Sequence, residues 1–436
     1  MRLKGLTLGL AAAVAATGIT APAVQAEETQ FFPFFTYRTG PYAPNGIPSA
    51  NGMVDYMNYV NLKWAGVGGV KLVWEECETG YNTKKGVECY ERTKGKGTTV
   101  VFPYSTGITY KLIPNAARDK ISILTVGYGR TDASDGRVFP WTFTTPTTYW
   151  SQASAFIKYI GAQEGGMDKL KGKKIALIYH NSAYGKEPIR TLNLLERKFG
   201  YKLTTLAVNH PGQEQKATWL QIRRDRPDWI LLWGWGVMNQ VSIKEATNIG
   251  FKMDRMIGVW WSGAEQDVVP TGDAAKGYKA GTFHAAGRDF PLFKDIKKVV
   301  YDAGKGLPGG EKFIGQVLWN RGVVNSIFAT EAMATAQKQY GVKRVNGDQM
   351  RWGLENLHIT AERWAELGLK GFMQPIKNTC ADHEGNGPVL IQQWDGKKWN
   401  IVSDFITPMR EVVRPLIEKS AAAYAKKQGI TPRTCS

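Results

Sequence analysis

Trp229-Ile230-Leu231-Leu232-Trp233-Gly234-Trp235-Gly236 and Met256-Ile257-Gly258-Val259-Trp260-Trp261 are the two runs that decide how this chain is read. Each begins as an apolar stretch too short for a buried helix and ends in tryptophans separated or preceded by glycine. Between them, residues 237–249 carry a helical pattern. Strand, helix, strand is the unit of a parallel α/β sheet. In an open α/β sheet ligands bind at the carboxyl ends of the strands. Trp233, Trp235, Trp260 and Trp261 are therefore expected to wall an aromatic pocket, with ordinary core packing as the competing reading.

The same alternation extends outward in both directions. Upstream come a helix at 147–160, a strand at Lys174–His180, a helix at 188–199 opened by Pro188, a strand at Lys202–Val208 and a helix at 213–224. Downstream, residues 279–285 read as one more strand. An earlier series precedes these, with strands at 31–36, 70–75, 98–104 and 121–126. Residues 39–46 read as a loop; Met53, Met57, Val60 and Trp64 then share one helical face, ended by Gly66. Further helices are expected at 82–93 and through Ile108 and Leu112, with a kink at Pro114. Residues 138–144 read as a strand that leaves this first unit. The fold class is thus α/β, with two doubly wound parallel sheets in tandem. After Gly287 helical patterns dominate, at 290–303, Val317–Tyr340, 347–357 and 360–367. A hairpin of 388–394 with 398–403 turns at Asp395-Gly396, and 409–427 reads as a terminal amphipathic helix.

The bulk properties fit an exported globular protein. A chain of 436 residues suggests two or three domains, and 43% hydrophobic residues supply ample core. Arg2 and Lys4, the apolar segment 6–19 and Ala23-Val24-Gln25-Ala26 have the form of a secretory signal cleaved after Ala26. No later run is apolar enough to span a bilayer. In an oxidising compartment Cys77, Cys89, Cys380 and Cys435 allow three pairings. Proximity in sequence favours Cys77 with Cys89, leaving Cys380 with Cys435. Metal binding at Cys380-Ala381-Asp382-His383 is the competing use of that cluster; it stands alone, and neither a metal nor a cofactor is expected. The net charge of +18 would attract anionic solutes or an anionic surface. Its basic residues are scattered, so a nucleic-acid partner is not expected.

Enzyme signatures fail on inspection. There is no G-x-x-x-x-G-K-[ST] loop and no G-x-S-x-G elbow, and none of the five histidines is spaced as H-E-x-x-H. His180 closes a strand, where a structural role is the ordinary one. Glu75, Glu76 and Glu78 are candidates for paired carboxylates by proximity alone. No catalytic residue is assigned, and a periplasmic hydrolase is kept only as an alternative.

Four short motifs then occur in a telling order: Thr39-Gly40-Pro41 after the first strand, Glu75-Glu76-Cys77 at the second strand end, Tyr184-Gly185 after Lys174–His180, and Asp395-Gly396-Lys397-Lys398-Trp399 near the end. With the export segment and tandem sheets, the chain resembles the type I periplasmic solute-binding proteins, and more narrowly the branched-chain amino-acid-type receptors of ABC transporters. The resemblance implies two lobes joined by a three-crossover hinge, closing on a ligand between them. It implies an N-terminal lobe of 27–144 and 284–374, a C-terminal lobe of 145–283 and 375–406, and an added helical tail at 407–436. It implies a periplasmic monomer that passes a small molecule to an inner-membrane ABC permease. Tyr42, Ser105, Thr106, Gly127 and Tyr128 match first-lobe ligand positions, and Tyr184, Trp233, Trp235, Trp260 and Trp261 second-lobe ones. Ser105 and Thr106 could instead be helix caps, and Tyr184 could simply pack.

One departure bears on the ligand. Amino-acid receptors of this kind place an acid after the strand that here precedes Trp260, where it meets the ligand's ammonium. Trp260 occupies that position, and Glu265 follows later. An ammonium buried without a carboxylate is costly. An aromatic or otherwise apolar carboxylate is therefore expected, with a branched-chain amino acid, an amide or a betaine as alternatives. A sensory ligand-binding protein is the alternative role.

Overall fold

The computed structural model describes residues 28–435, so the expected export segment lies outside the described residues. The first sheet contains β1 (Thr29–Thr36), β2 (Lys71–Glu78), β3 (Val100–Val101), β4 (Ser122–Leu124) and β5 (Thr142–Phe143). β1 runs parallel to β2, β3 to β4 and β4 to β5. A parallel bridge from Phe34 to Phe102 sets β1 beside the end of β3, giving the order β2-β1-β3-β4-β5. Residues 138–144 do not leave this unit as expected. Only Thr142 and Phe143 are extended, and they pair with Ile123 and Leu124 as its last parallel strand.

The second sheet repeats that winding. Its parallel part contains β6 (Lys174–His180), β7 (Lys202–Val208), β8 (Trp229–Trp233), β9 (Met256–Gly258) and β10 (Lys279–Thr282) in the order β7-β6-β8-β9-β10. β8 reads Trp-Ile-Leu-Leu-Trp because helices cover both faces of a central parallel strand, and all five residues are buried. At the edge, β7 has polar residues open to solvent. After a small antiparallel pair, β11 (His358–Ile359) with β12 (Ile376–Lys377), the hairpin of β13 (Leu390–Trp394) and β14 (Trp399–Ile401) adds antiparallel to β10. The expected turn at Asp395-Gly396 falls between them.

The chain passes between the two sheets three times: after β5, after β10 and after β12. The passages are tied together. Thr144 donates its backbone N–H to the His383 carbonyl at 3.0 Å, and Thr145 donates its hydroxyl to Asn378 at 2.8 Å. Thr148 donates its backbone N–H to buried Glu384 at 3.0 Å, and the backbone N–H of Ala285 donates to Phe372 at 2.8 Å.

On the first sheet, helices Ala43–Trp64 and Val317–Tyr340 pack closely. A Cβ at Gly52 would lie 2.1 Å from the Trp319 carbonyl oxygen, and one at Gly322 2.1 Å from that of Ser49. Only glycine permits that approach. The first helix starts at Ala43, inside the segment expected to be a loop; Pro44 sits in its first turn, where a missing N–H costs nothing. The disulfides join Cys77 to Cys89 and Cys380 to Cys435. The last helix, Arg410–Gln428, buries Val413, Ile417, Ala421 and Ala425 and stacks Tyr424 on Phe139 at 4.7 Å. Among the described residues no helix is long and apolar enough to cross a membrane.

Candidate functional site

The strands of both sheets end at one cleft. A cavity of about 270 Å³ there is lined by Tyr37, Tyr81, Tyr104, Ser105, Thr106, Tyr128, Tyr149, Tyr184, Trp235 and Trp261. Tyr37 follows β1, Tyr81 follows β2, Tyr104 and Ser105 follow β3 and Tyr128 follows β4. From the second sheet, Tyr184 follows β6, Trp235 follows β8 and Trp261 follows β9. Tyr149 opens the helix Tyr149–Gln163 after the first passage.

The rings brace one another. Tyr37 and Tyr81 meet edge to face at 5.1 Å, Tyr104 and Tyr128 lie 5.6 Å apart, and Trp235 stands at 89° to Trp261 at 5.7 Å. These spacings lie in the favourable range for aromatic pairs. Tyr81 and Tyr104 hold left-handed backbone, at φ 61° and 50°. For a bulky residue that conformation costs about 1–3 kcal/mol, and such strain collects at ligand sites. Several polar groups are already committed. Tyr128 accepts the backbone N–H of Tyr104 at 2.7 Å, and Tyr184 donates to the Gly234 carbonyl at 2.8 Å. Burial pushes the Tyr104 phenol up to about 12 and those of Tyr37, Tyr128, Tyr149 and Tyr184 well above their ordinary value, so these hydroxyls stay neutral. Every lining side chain is uncharged at neutral pH. The buried indole N–H of Trp235 has no acceptor among the described residues.

One end of the cavity is polar. Ser105 caps the helix Thr106–Asp119, accepting the Ile108 N–H at 3.4 Å, and Thr106 accepts the Gly129 N–H at 3.2 Å. Ser105 and Thr106 therefore both belong to the helix start and face the cavity. The first-turn N–H groups of a helix have no intrahelical acceptor, and that end attracts an anion.

The remaining expected site residues stand just behind the wall. Trp260 and Trp261 both donate their indole N–H groups to the Gly127 carbonyl, at 2.6 and 2.8 Å. Gly127 has φ +69°, and a Cβ there would meet Phe283 at 2.8 Å. Trp260 stacks on Tyr149 at 5.7 Å. Trp233 is fully buried between Tyr149 and Phe156, and Tyr42 bonds His180 Nε2 through its hydroxyl at 2.8 Å. Burial pulls His180 down to about 3, so its ring is neutral. Four lining tyrosines were not among the expected residues: Tyr37, Tyr81, Tyr104 and Tyr149.

Contacts between the two sheets' loops and helices surround this cavity. Besides the tryptophan pair on Gly127, Glu187 accepts from the Tyr110 hydroxyl and from the Thr131 N–H at 3.3 Å. Glu265 accepts the Val317 N–H at 3.0 Å, and Asp267 accepts from Asn45 at 3.3 Å. Elsewhere, Glu75 pairs with Arg92 and Lys96, Glu76 with Arg38, and Glu78 accepts the Arg38 N–H, so these carboxylates hold the strand end together. His383 stacks on Phe143 at 4.1 Å, and Cys380 is in a disulfide, which commits the expected alternative metal cluster to structure.

Comparison with known proteins agrees with this architecture. No match was found among curated proteins. The family model described as periplasmic binding protein matches residues 29–398. A crystal structure described as an ABC transporter permease from the Pseudomonas fluorescens group is 46% identical, with a TM-score of 0.88 over 94% of this chain and 100% of that one. A branched-chain amino-acid ABC transporter protein from Thermus thermophilus with bound valine is 20% identical, with a TM-score of 0.75 over 89% and 99% of the two chains. A solute-binding protein from R. palustris in complex with benzoate is 16% identical, with a TM-score of 0.67 over 87% and 97%. With its two like-wound sheets, three passages and aromatic cleft, this chain belongs to the periplasmic binding protein family.

Proposed function

We propose that this protein is an exported receptor of an ABC importer, closing on a small aromatic carboxylate and delivering it to a membrane permease. The lobes would comprise 27–144 with 284–374 and 145–283 with 375–406, followed by a tail at 407–436. The observation that carries the ligand class is the uncharged wall of six tyrosines and two tryptophans, which ends at the first turn of the helix Thr106–Asp119. A carboxylate would sit against Ser105 and Thr106 and receive the free first-turn N–H groups. The ring would lie among Tyr37, Tyr104, Trp235 and Trp261, and a ligand oxygen could take the unpaired indole N–H of Trp235. No lining carboxylate is available to an amino acid's ammonium, and burying that charge alone is unfavourable. The benzoate bound by the R. palustris protein is in line with this reading.

A betaine is the second reading, because the near-perpendicular rings of Trp235 and Trp261 form a corner suited to a quaternary ammonium. A thermal-shift series with benzoates, glycine betaine, leucine and valine separates the two. Ligand at about 100 times its Kd adds about 2.7 kcal/mol of stability. Stabilisation by benzoates alone supports the proposal, whereas stabilisation by leucine or valine alone contradicts it.

A further inference from the structure

Arg321 is fully buried, on the helix Val317–Tyr340 that belongs with the first sheet. Its Nη1 donates to the Trp260 carbonyl, and its guanidinium lies 4.7 Å from the Trp261 ring centre and 5.1 Å from that of Phe283. Nε and Nη2 have no acceptor, and no carboxylate among the described residues lies within ion-pair distance. The acids nearest in influence are Glu265 and Asp267. Both are engaged elsewhere, Glu265 by the Val317 N–H and Asp267 by Asn45, Asn239 and the Ala264 N–H. Burial pushes these carboxyls up to about 7 and about 6, while it pulls Arg321 down only to about 10. The guanidinium therefore keeps its charge at neutral pH. Tyr104 and Tyr149, the other ionisable groups that act on it, are neutral.

The partners of Arg321 come from the opposite lobe. Trp260 and Trp261 follow β9, and Phe283 follows β10. Separation of the lobes would return the guanidinium to water. Closure strips that water and replaces it with one carbonyl and two ring faces. A buried charge with no carboxylate in contact opposes the closed state, and the partly ionised Glu265 and Asp267 offset this only from beyond ion-pair distance. An anion in the cavity, beyond the Trp261 ring, offsets that opposition through a medium of low dielectric; a cation there adds to it.

We propose that Arg321 makes lobe closure conditional on an anionic ligand, and so selects carboxylates against neutral and quaternary-ammonium compounds of similar shape. This deepens the aromatic-carboxylate reading and rests on its two-lobed closure. Arg321 is a specificity residue that acts through the aromatic wall.

The test compares wild type with Arg321→Met and Arg321→Lys by small-angle X-ray scattering without ligand, and by calorimetry with benzoate and its uncharged analogue benzamide. Wild type is expected to be open without ligand. Arg321→Met should shift the ligand-free protein toward the compact form and reduce the preference for benzoate over benzamide at least tenfold. Arg321→Lys, which keeps the charge, should remain open and keep the preference. The proposal is overturned if wild type is already compact without ligand, or if ligand-free Arg321→Met scatters as wild type does. It is equally overturned if Arg321→Lys loses the preference while still folded. Should wild type bind neither probe, the aromatic-carboxylate reading fails by itself, and the ligand-free scattering still decides the role of Arg321. If Arg321→Met does not fold, the lysine variant alone decides it.

Discussion

Trp260 donates its indole N–H to the carbonyl oxygen of Gly127 at 2.6 Å, joining the end of β9 to the end of β4 across the cleft. Trp261 shares that acceptor at 2.8 Å. Trp260 thus ties the two sheets together. Trp260→Phe keeps most of the ring and removes the donor. A single such hydrogen bond contributes about 0.5–1.5 kcal/mol, so ligand affinity should fall about 2- to 13-fold with little change in Tm. Titration calorimetry beside a melting curve checks this, and a large fall in Tm would contradict it.

Trp233 and Trp235 should separate core from site. Trp233 is fully buried against Tyr149 and Phe156, so Trp233→Ala should lose about 3–5 kcal/mol of stability. Trp235 lines the cavity, and Trp235→Ala should chiefly weaken binding, by more than about fivefold, the scale of a ring that contributes over about 1 kcal/mol. Denaturant unfolding and calorimetry on both variants give the comparison.

Glu187 provides a pH test. Burial pushes its carboxyl up to about 7, against the hydrogen bonds from Thr131 and Tyr110, which pull it down. In the unfolded chain it titrates near about 4.3. Between those values the folded form holds a proton that the unfolded chain has released. Its contribution to stability therefore falls as pH rises from about 4.3 to about 7, by on the order of 3 kcal/mol, and is level outside that window. His180, His284 and His383, which burial pulls down to about 3, act in the opposite sense and lose stability as pH falls below about 6.5. The difference between Glu187→Gln and wild type isolates the carboxyl. The variant should gain Tm relative to wild type by a few degrees between about pH 5 and about pH 8. A constant offset across that range would contradict the assignment.

Cys380 and Cys435 close a loop across a separation of 55 residues and hold the end of the chain to the third passage. Cys435→Ser should lower stability by about 2–4 kcal/mol, read by unfolding under non-reducing conditions. No loss would mean that the helix Arg410–Gln428 is held by its packing alone.

Much of this fold was legible because its central strands are buried on both faces. β6, β8 and the helix Val317–Tyr340 fall at the expected residues, and so does the edge strand β7, whose buried Leu206 and Val208 alternate with exposed residues. The first sheet was harder to read, since β3 and β5 are two residues each and Val138, Phe139 and Trp141 are buried without being extended. Strand-end reasoning brought Ser105, Thr106, Tyr128, Tyr184, Trp235 and Trp261 to one cavity. Tyr37 follows β1 directly and the same rule would have reached it. Tyr81 was hidden because β2 runs on to Glu78, three residues beyond its expected end. Tyr149 enters from a helix start, and Arg321 sits in the second turn of its helix, where no local pattern marks a residue that touches the aromatic wall.

The most direct test of the account is calorimetric titration of the purified, ligand-stripped protein with benzoate, followed by leucine and valine. Saturable binding of one benzoate per chain, with no heat from either amino acid, is the predicted result. Tight binding of leucine or valine with no response to benzoate would contradict it.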